Sequence, residues 1–224
     1  KVSLRSDGNE SRVYTGFHDP LRNPYSDPVP SSGMVDAHDF LRDDDYIGPL
    51  VEEHGELTID PAEDFFERLV TSVLRQQVSM ASAAATRERL FDAVDVTPEG
   101  IREADDDVLK DAGLSRQKTR YVNSIADAFA ERGFSRDYFE SLDDEEAIAE
   151  LTTITGVGEW TAQMQLVFTL GREDVFPVGD LGIRKGMENV FEEEMTRGEM
   201  RERAERWSPY RSYASLYLWR TTDD

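Results

Sequence analysis

Between Leu151 and Met164 the chain reads LTTITGVGEWTAQM, two helix-like runs broken by Gly156-Val157-Gly158. Glycine reaches backbone angles closed to other residues and carries no Cβ, so the main chain can bend sharply here and lie bare at the bend. A helix beginning near Glu159 leaves its first N–H groups without intrahelical partners, at the positive end of its dipole. Such a bend can come close to a phosphate through amides alone, with no net positive charge. Leu151 and Ile154 are spaced to pack beneath it, so the longer string reads as a helix–hairpin–helix, with an ordinary glycine-containing helix turn as the alternative.

The remaining sequence agrees. From about Asp60 the apolar residues recur at helical spacing. DPAEDFFERLVTSVLRQQ opens on Asp60 as a cap with Pro61 in the first helical position, and sets Phe66, Leu69, Val70, Val73 and Leu74 on one face. SMASAAATRERLFDAV predicts an alanine-rich helix suited to close packing. Ser115 caps and Gly133 stops another over SRQKTRYVNSIADAFAERG. DDEEAIAELTTI carries acids in its first turn, where the dipole favours them. After the hairpin, EWTAQMQLVFTLG, LGIRKGMENVF, EMRERAERW and SPYRSYASLYLW complete the series. Strand signals are scarce and no internal repeat is evident. The expected class is all-α, with many short helices. Residues 1–49 hold five of the nine prolines and read as an extended or partly disordered lead. Residues 50–224 read as the folded domain.

Composition narrows the chemistry. No run of about 18 apolar residues occurs, so no membrane span is expected, and no basic-then-apolar signal peptide is seen. The expected location is cytoplasmic. With no cysteine in its 224 residues the chain has no disulfides, no thiolate zinc site and no thiolate-held iron–sulfur cluster. The three histidines, His18, His38 and His54, lie away from every motif.

A net charge of −22 speaks against DNA, whose affinity for proteins comes largely from Lys and Arg. It suits a solvated acidic surface adapted to concentrated salt. The acids, however, are segregated. Windows 68–87, 112–126, 160–172 and 181–187 contain none of the 47 acids and nine of the 25 bases, among them Arg116, Arg184 and Lys185. That is the pattern of a basic stripe on an acidic body, and net charge does not set the local field.

Five motifs in order, LRQQVSMASA, GLSRQKTRYV, LTTITGVGEWTA, VFPVGDLGIRKG and WSPYRSYASLYLW, then resemble the helix–hairpin–helix DNA glycosylase superfamily, most closely its 3-methyladenine DNA glycosylase II branch. The resemblance runs from about Pro61 to Trp219 and implies a two-lobed helical bundle with an active-site cleft between the lobes, the central lobe over about 75–172 and the other from the flanking segments. It looks like a compact form, since the first sixty residues are too short and proline-rich for the N-terminal β-sheet domain of some relatives.

The resemblance implies roles. Asp180 matches the catalytic aspartate. A carboxylate beside the sugar suits the oxocarbenium-like state of N-glycosidic hydrolysis and can orient or deprotonate a water. The same residue before LGIRKG also reads as an N-cap. Trp160 and Trp219 match pocket tryptophans that hold a flipped base by stacking and cation–π attraction, and Met164 stands at the pocket rim where a relative has tyrosine. Trp207 reads as core. Gln77 matches the residue that fills the gap left by the flipped base. Gly156, Gly158, Thr161, Arg116, Arg184 and Lys185 are the expected phosphate contacts. The main-chain carbonyls of Thr152, Ile154 and Val157 match a site for a sodium or potassium ion; no other cofactor is expected. Relatives that also cut the backbone carry a lysine where Trp160 stands, and no lysine lies between Lys118 and Lys185. The implied enzyme is a monofunctional, monomeric alkylpurine glycosylase acting on double-stranded DNA in base-excision repair. The alternatives are a non-catalytic DNA-binding module and a glycosylase of the same fold for deaminated purines.

Overall fold

Residues 35–222 are described by the computed structural model, and every regular element among them is helical, as the sequence leads one to expect. The order is α1 (Val35–Arg42), α2 (Gly48–His54), α3 (Phe65–Arg75), α4 (Met80–Ala93), α5 (Pro98–Glu103), α6 (Asp106–Asp111), α7 (Arg116–Arg132), α8 (Arg136–Glu140), α9 (Asp144–Thr152), α10 (Glu159–Phe168), α11 (Leu181–Phe191), α12 (Arg197–Ala204), a 3₁₀ turn (Glu205–Trp207) and α13 (Arg211–Arg220).

Local chemistry sets most boundaries. Ser115 accepts the Lys118 N–H to start α7, and Gly133, at φ +66°, ends it in the left-handed region. Asp143 and Glu146 form a capping box on α9.

Two expectations fail. The lead expected over 1–49 lies outside the described residues up to position 34, but from Val35 the chain is helical, and Leu41 and Ile47 are fully buried. Too few apolar residues stand among the aspartates there to show a period, yet those few suffice to pack α1 and α2 against α13. The α3 helix also begins later than Asp60-Pro61. Asp64 is its cap, accepting the Glu67 N–H at 2.8 Å. The preceding stretch is drawn off by tertiary contact, with the Ala62 N–H bonded to the Phe168 carbonyl at 2.9 Å.

The helices pack as two sets. In one, α3 and α5 lie on α7, α4 lies on α3, and α9 pairs with α10; in the other, α11 lies on α13 with α1, α2 and α12 around them. The first set begins with α3, ahead of the expected boundary near 75. Fully buried Leu69, Val73, Leu74, Val122 and Ile125 knit α3 to α7. Each contributes roughly 1.5–3 kcal/mol relative to exposure. The core continues into the second set, where the Phe168 ring lies against Trp219 at 5.9 Å between centroids. Among the described residues no helix is long and apolar enough to cross a membrane.

Candidate active site

Asp180 stands where the loop after α10 enters α11. Its Oδ1 accepts the Ile183 N–H at 3.1 Å, so it is the N-cap of α11. The same oxygen accepts Nε1–H of Trp219 at 2.8 Å, and Oδ2 accepts Nε1–H of Trp160 at 2.9 Å. A carboxylate offers about four acceptor positions, so Oδ2, with its single donor, keeps capacity for another. Capping and a place in the site are one geometry here.

The indoles come from different helices and differ in setting. Trp160, in the first turn of α10, is 40% exposed; Trp219, in the last turn of α13, is 3% exposed. Both turn their N–H edges to the carboxylate. Met164, expected at the rim, is 6% exposed and packs with the core, one turn beyond Trp160 on the same side of α10. Trp207 is core, as expected.

Gly182 makes the arrangement possible. A Cβ there would lie 2.7 Å from Trp219 Cδ1 and 3.1 Å from both Trp219 Nε1 and Asp180 Oδ1. Sequence reasoning passes over this glycine; the signal available was its place two residues after a capping aspartate.

The hairpin leads into the same end of α10 that carries Trp160. Gly156 has φ +97°, and a Cβ on it would sit 2.3 Å from the Tyr121 ring. Gly158 is the N-cap of α10 at φ −93°, with nothing within 4 Å of where its Cβ would be. Unlike α7 and α9, α10 has no side chain closing its first turn. The first-turn N–H groups therefore remain for an outside acceptor. Thr161 is 3% exposed, so its hydroxyl faces the interior and only its N–H belongs to that set.

Charge is arranged in the same sense. On the acidic body cations are matched: Arg102 to Asp127 and Glu131, Arg211 to Asp174 and Glu205. Arg116, Arg184 and Lys185 make no ion pair among the described residues, and Nε of Arg184 is buried without a partner. Lys118 turns inward: its ammonium donates to the Leu74 carbonyl, and burial pulls its pKa below the ordinary lysine value. Gln77 is exposed at the turn between α3 and α4, with φ +58°. Of the three hairpin carbonyls, that of Ile154 accepts the Val157 N–H at 3.0 Å. No group of His, Asp and Glu suited to a metal ion occurs among the described residues.

Residues 70–210 match the family described as "HhH-GPD superfamily base excision DNA repair protein", a span that holds the hairpin, Trp160 and Asp180. DNA-3-methyladenine glycosylase 1 of Schizosaccharomyces pombe is 34% identical over 165 residues, covering 70% of this chain and 72% of its own length. The YfjP protein of Bacillus subtilis is 29% identical over 188 residues, covering 79% of this chain; the chain spans 66% of that relative's length. The structure of S. pombe 3-methyladenine DNA glycosylase Mag1 in complex with abasic DNA superimposes with a TM-score of 0.74 at 31% identity, over 84% of this chain and 97% of that one. With the hairpin, the carboxylate and the helical order all in place, the chain belongs to the HhH-GPD superfamily of base excision DNA repair proteins.

Proposed function

We propose that the chain is a monofunctional DNA glycosylase that hydrolyses the N-glycosidic bond of alkylated purines, of the 3-methyladenine and 7-methylguanine type, in double-stranded DNA and leaves an abasic site. The observation that carries this reading is the Asp180 carboxylate held between the indole donors of Trp160 and Trp219. The relatives named as 3-methyladenine glycosylases support the choice of substrate.

A base within a duplex is out of reach of a carboxylate on a protein, so the nucleotide must swing out of the stack. As its glycosidic bond lengthens, positive charge grows at C1′, and a carboxylate beside the sugar stabilises it. The spare acceptor position of Oδ2 suits an attacking water, which Asp180 orients and relieves of a proton. An N-methylated purine carries positive charge and is a ready leaving group. The exposed indole of Trp160 holds it by stacking and by cation–π attraction of about 0.5–2 kcal/mol.

The position two residues after Gly158 holds an indole and no amine, so the hairpin forms no Schiff base and does not cut the strand. The open first turn of α10 takes a phosphate, with Arg116, Arg184 and Lys185 as further contacts. Carboxylate, indoles and hairpin all come from one chain, which suits a monomer acting on DNA inside the cell. The resemblance also implies a sodium or potassium ion at the hairpin. The carbonyls of Thr152, Ile154 and Val157 fit it as neutral oxygen donors, with Thr152 at the C-terminal, negative end of α9. There the ion would steady the bend. The surplus of acids suits work in concentrated salt, where amide donors keep their grip better than surface lysines.

The test is incubation with methylated duplex DNA over a range of salt. Free methylated purine is expected, with strand breaks only after alkali. No free base at any salt concentration would overturn the assignment, and breaks without alkali would overturn the monofunctional part.

A further inference from the structure

The turn joining α3 to α4 is held in a conformation that its residues do not favour. Gln77 sits at φ +58°, one of two non-glycine residues with positive φ among those described. A side chain in this region crowds its own backbone, so a free chain leaves it for other wells. Packing does not hold the turn from beneath, where a recess of about 220 Å³ is lined by Gln76, Gln77, Lys118 and Tyr121.

Two tethers hold it. Lys118, from α7, donates to the Leu74 carbonyl at the end of α3. Gln76, which leaves α3 as its C-cap, donates Nε2–H to the Gly156 carbonyl at 3.1 Å, 80 residues away in sequence. Gly156 is the positive-φ residue of the hairpin, seated on the Tyr121 ring. One amide thus joins the bend that grips phosphate to the residue beside the gap filler.

We propose that Gln76 is a positioning residue that couples the hairpin to the gap-filling turn, so that a hairpin seated on the phosphate backbone holds Gln77 aimed into the space left by the extruded nucleotide. The proposal rests on the DNA-binding reading above and adds to it a residue that touches neither the damaged base nor a phosphate. The bond is directional: Gln76 must donate, because the Gly156 carbonyl can only accept. Glutamate at this position keeps the shape and loses the donor.

The experiment uses a duplex with a tetrahydrofuran abasic analogue opposite 2-aminopurine, whose fluorescence reports disturbance of the base facing the gap. Binding is followed separately by anisotropy. Gln76→Ala and Gln76→Glu are expected to bind with little change and to lose about fivefold or more of the fluorescence response, as the turn relaxes. Gln77→Ala is expected to lose the same response, and adding Gln76→Ala to it to change nothing further, because both act through one side chain. A wild-type response in Gln76→Glu, additive losses in the double variant, or losses matched by an equal fall in thermal midpoint would each overturn the proposal. So would a wild-type protein that binds without altering the fluorescence. Excision plays no part in this readout, so a chain that fills the gap but releases no base would refute the enzymatic reading and leave the role of Gln76 standing.

Discussion

Trp160 and Trp219, on different helices, donate their indole protons to opposite oxygens of one carboxylate, at 2.9 and 2.8 Å. The pair fixes the Asp180 plane from both sides, and the Ile183 N–H fixes it from the helix below. Replacing Trp219 by Phe keeps the buried ring and removes the proton. It is expected to lower kcat about tenfold with little change in KM, as for loss of an interaction that aligns the reacting group. Single-turnover excision on a methylated duplex checks this. An unchanged kcat would show that the bond is structural only.

Gly182 gives a sharper version of the same test. An alanine there places its methyl 2.7 Å from Trp219 Cδ1, and the buried indole has little room to retreat. Gly182→Ala is expected to push the ring off Asp180 and cost activity by more than tenfold, alongside about 1–3 kcal/mol of stability from overpacking. Excision assays and denaturant unfolding, run on the same preparation, separate the two losses.

The two hairpin glycines should behave differently. Gly156→Ala meets the Tyr121 ring and a φ of +97°, so it is expected to lower the thermal midpoint clearly. Gly158→Ala meets nothing within 4 Å and keeps a negative φ, so the free protein should fold as before. Its methyl would stand in the path of a phosphate, and DNA affinity should fall about tenfold or more. Equal destabilisation by both variants would contradict this division.

Among the described residues Arg184 and Lys185 have no carboxylate partner, in a chain rich in carboxylates. If each meets one phosphate, Arg184→Gln and Lys185→Gln should each reduce the slope of log affinity against log salt by about one, with no preference among sequences. Affinity measured across a salt series reads this directly, and an unchanged slope would remove the residue from the phosphate contacts.

Acid stability provides a check away from DNA. Burial raises the pKa of Asp174, but hydrogen bonds from Arg211 and Ser208 outweigh it and hold the carboxyl below the ordinary value. A depressed folded pKa contributes stability above the unfolded value of about 4, lost as pH falls through the folded one. Asp174→Asn should therefore be less stable at neutral pH, and its thermal midpoint should fall less than that of the wild type between about pH 5 and pH 2.

What could be read from the sequence follows the range of the interactions. Ser115, Gly133 and the box at Asp143 act within one helical turn, so their chemistry is visible in a short window. The start of α3 is not, because the Ala62 amide is claimed by Phe168 across the core. The same holds at the site. Asp180 and the two indoles came through resemblance in motif order, while the bonds joining them span 20 and 39 residues and no spacing rule contains them. Met164 was placed at a rim by that resemblance; it lies one turn beyond Trp160 on the same side of α10 and is buried, a depth that helical spacing alone does not give. Gly182, Gln76 and Tyr121 went unnamed because their roles depend on what comes close in three dimensions.

The central claim is that the Asp180 carboxylate carries the hydrolysis, and Asp180→Asn tests it with least disturbance. Asparagine keeps one oxygen for the Ile183 N–H and the Trp219 indole, replaces the acceptor of the Trp160 N–H with an NH2, and removes the charge that would face C1′. Release of methylated purine from duplex DNA under single-turnover conditions should fall by at least about a hundredfold, with binding to an abasic duplex largely retained. Release at close to the wild-type rate would contradict the account.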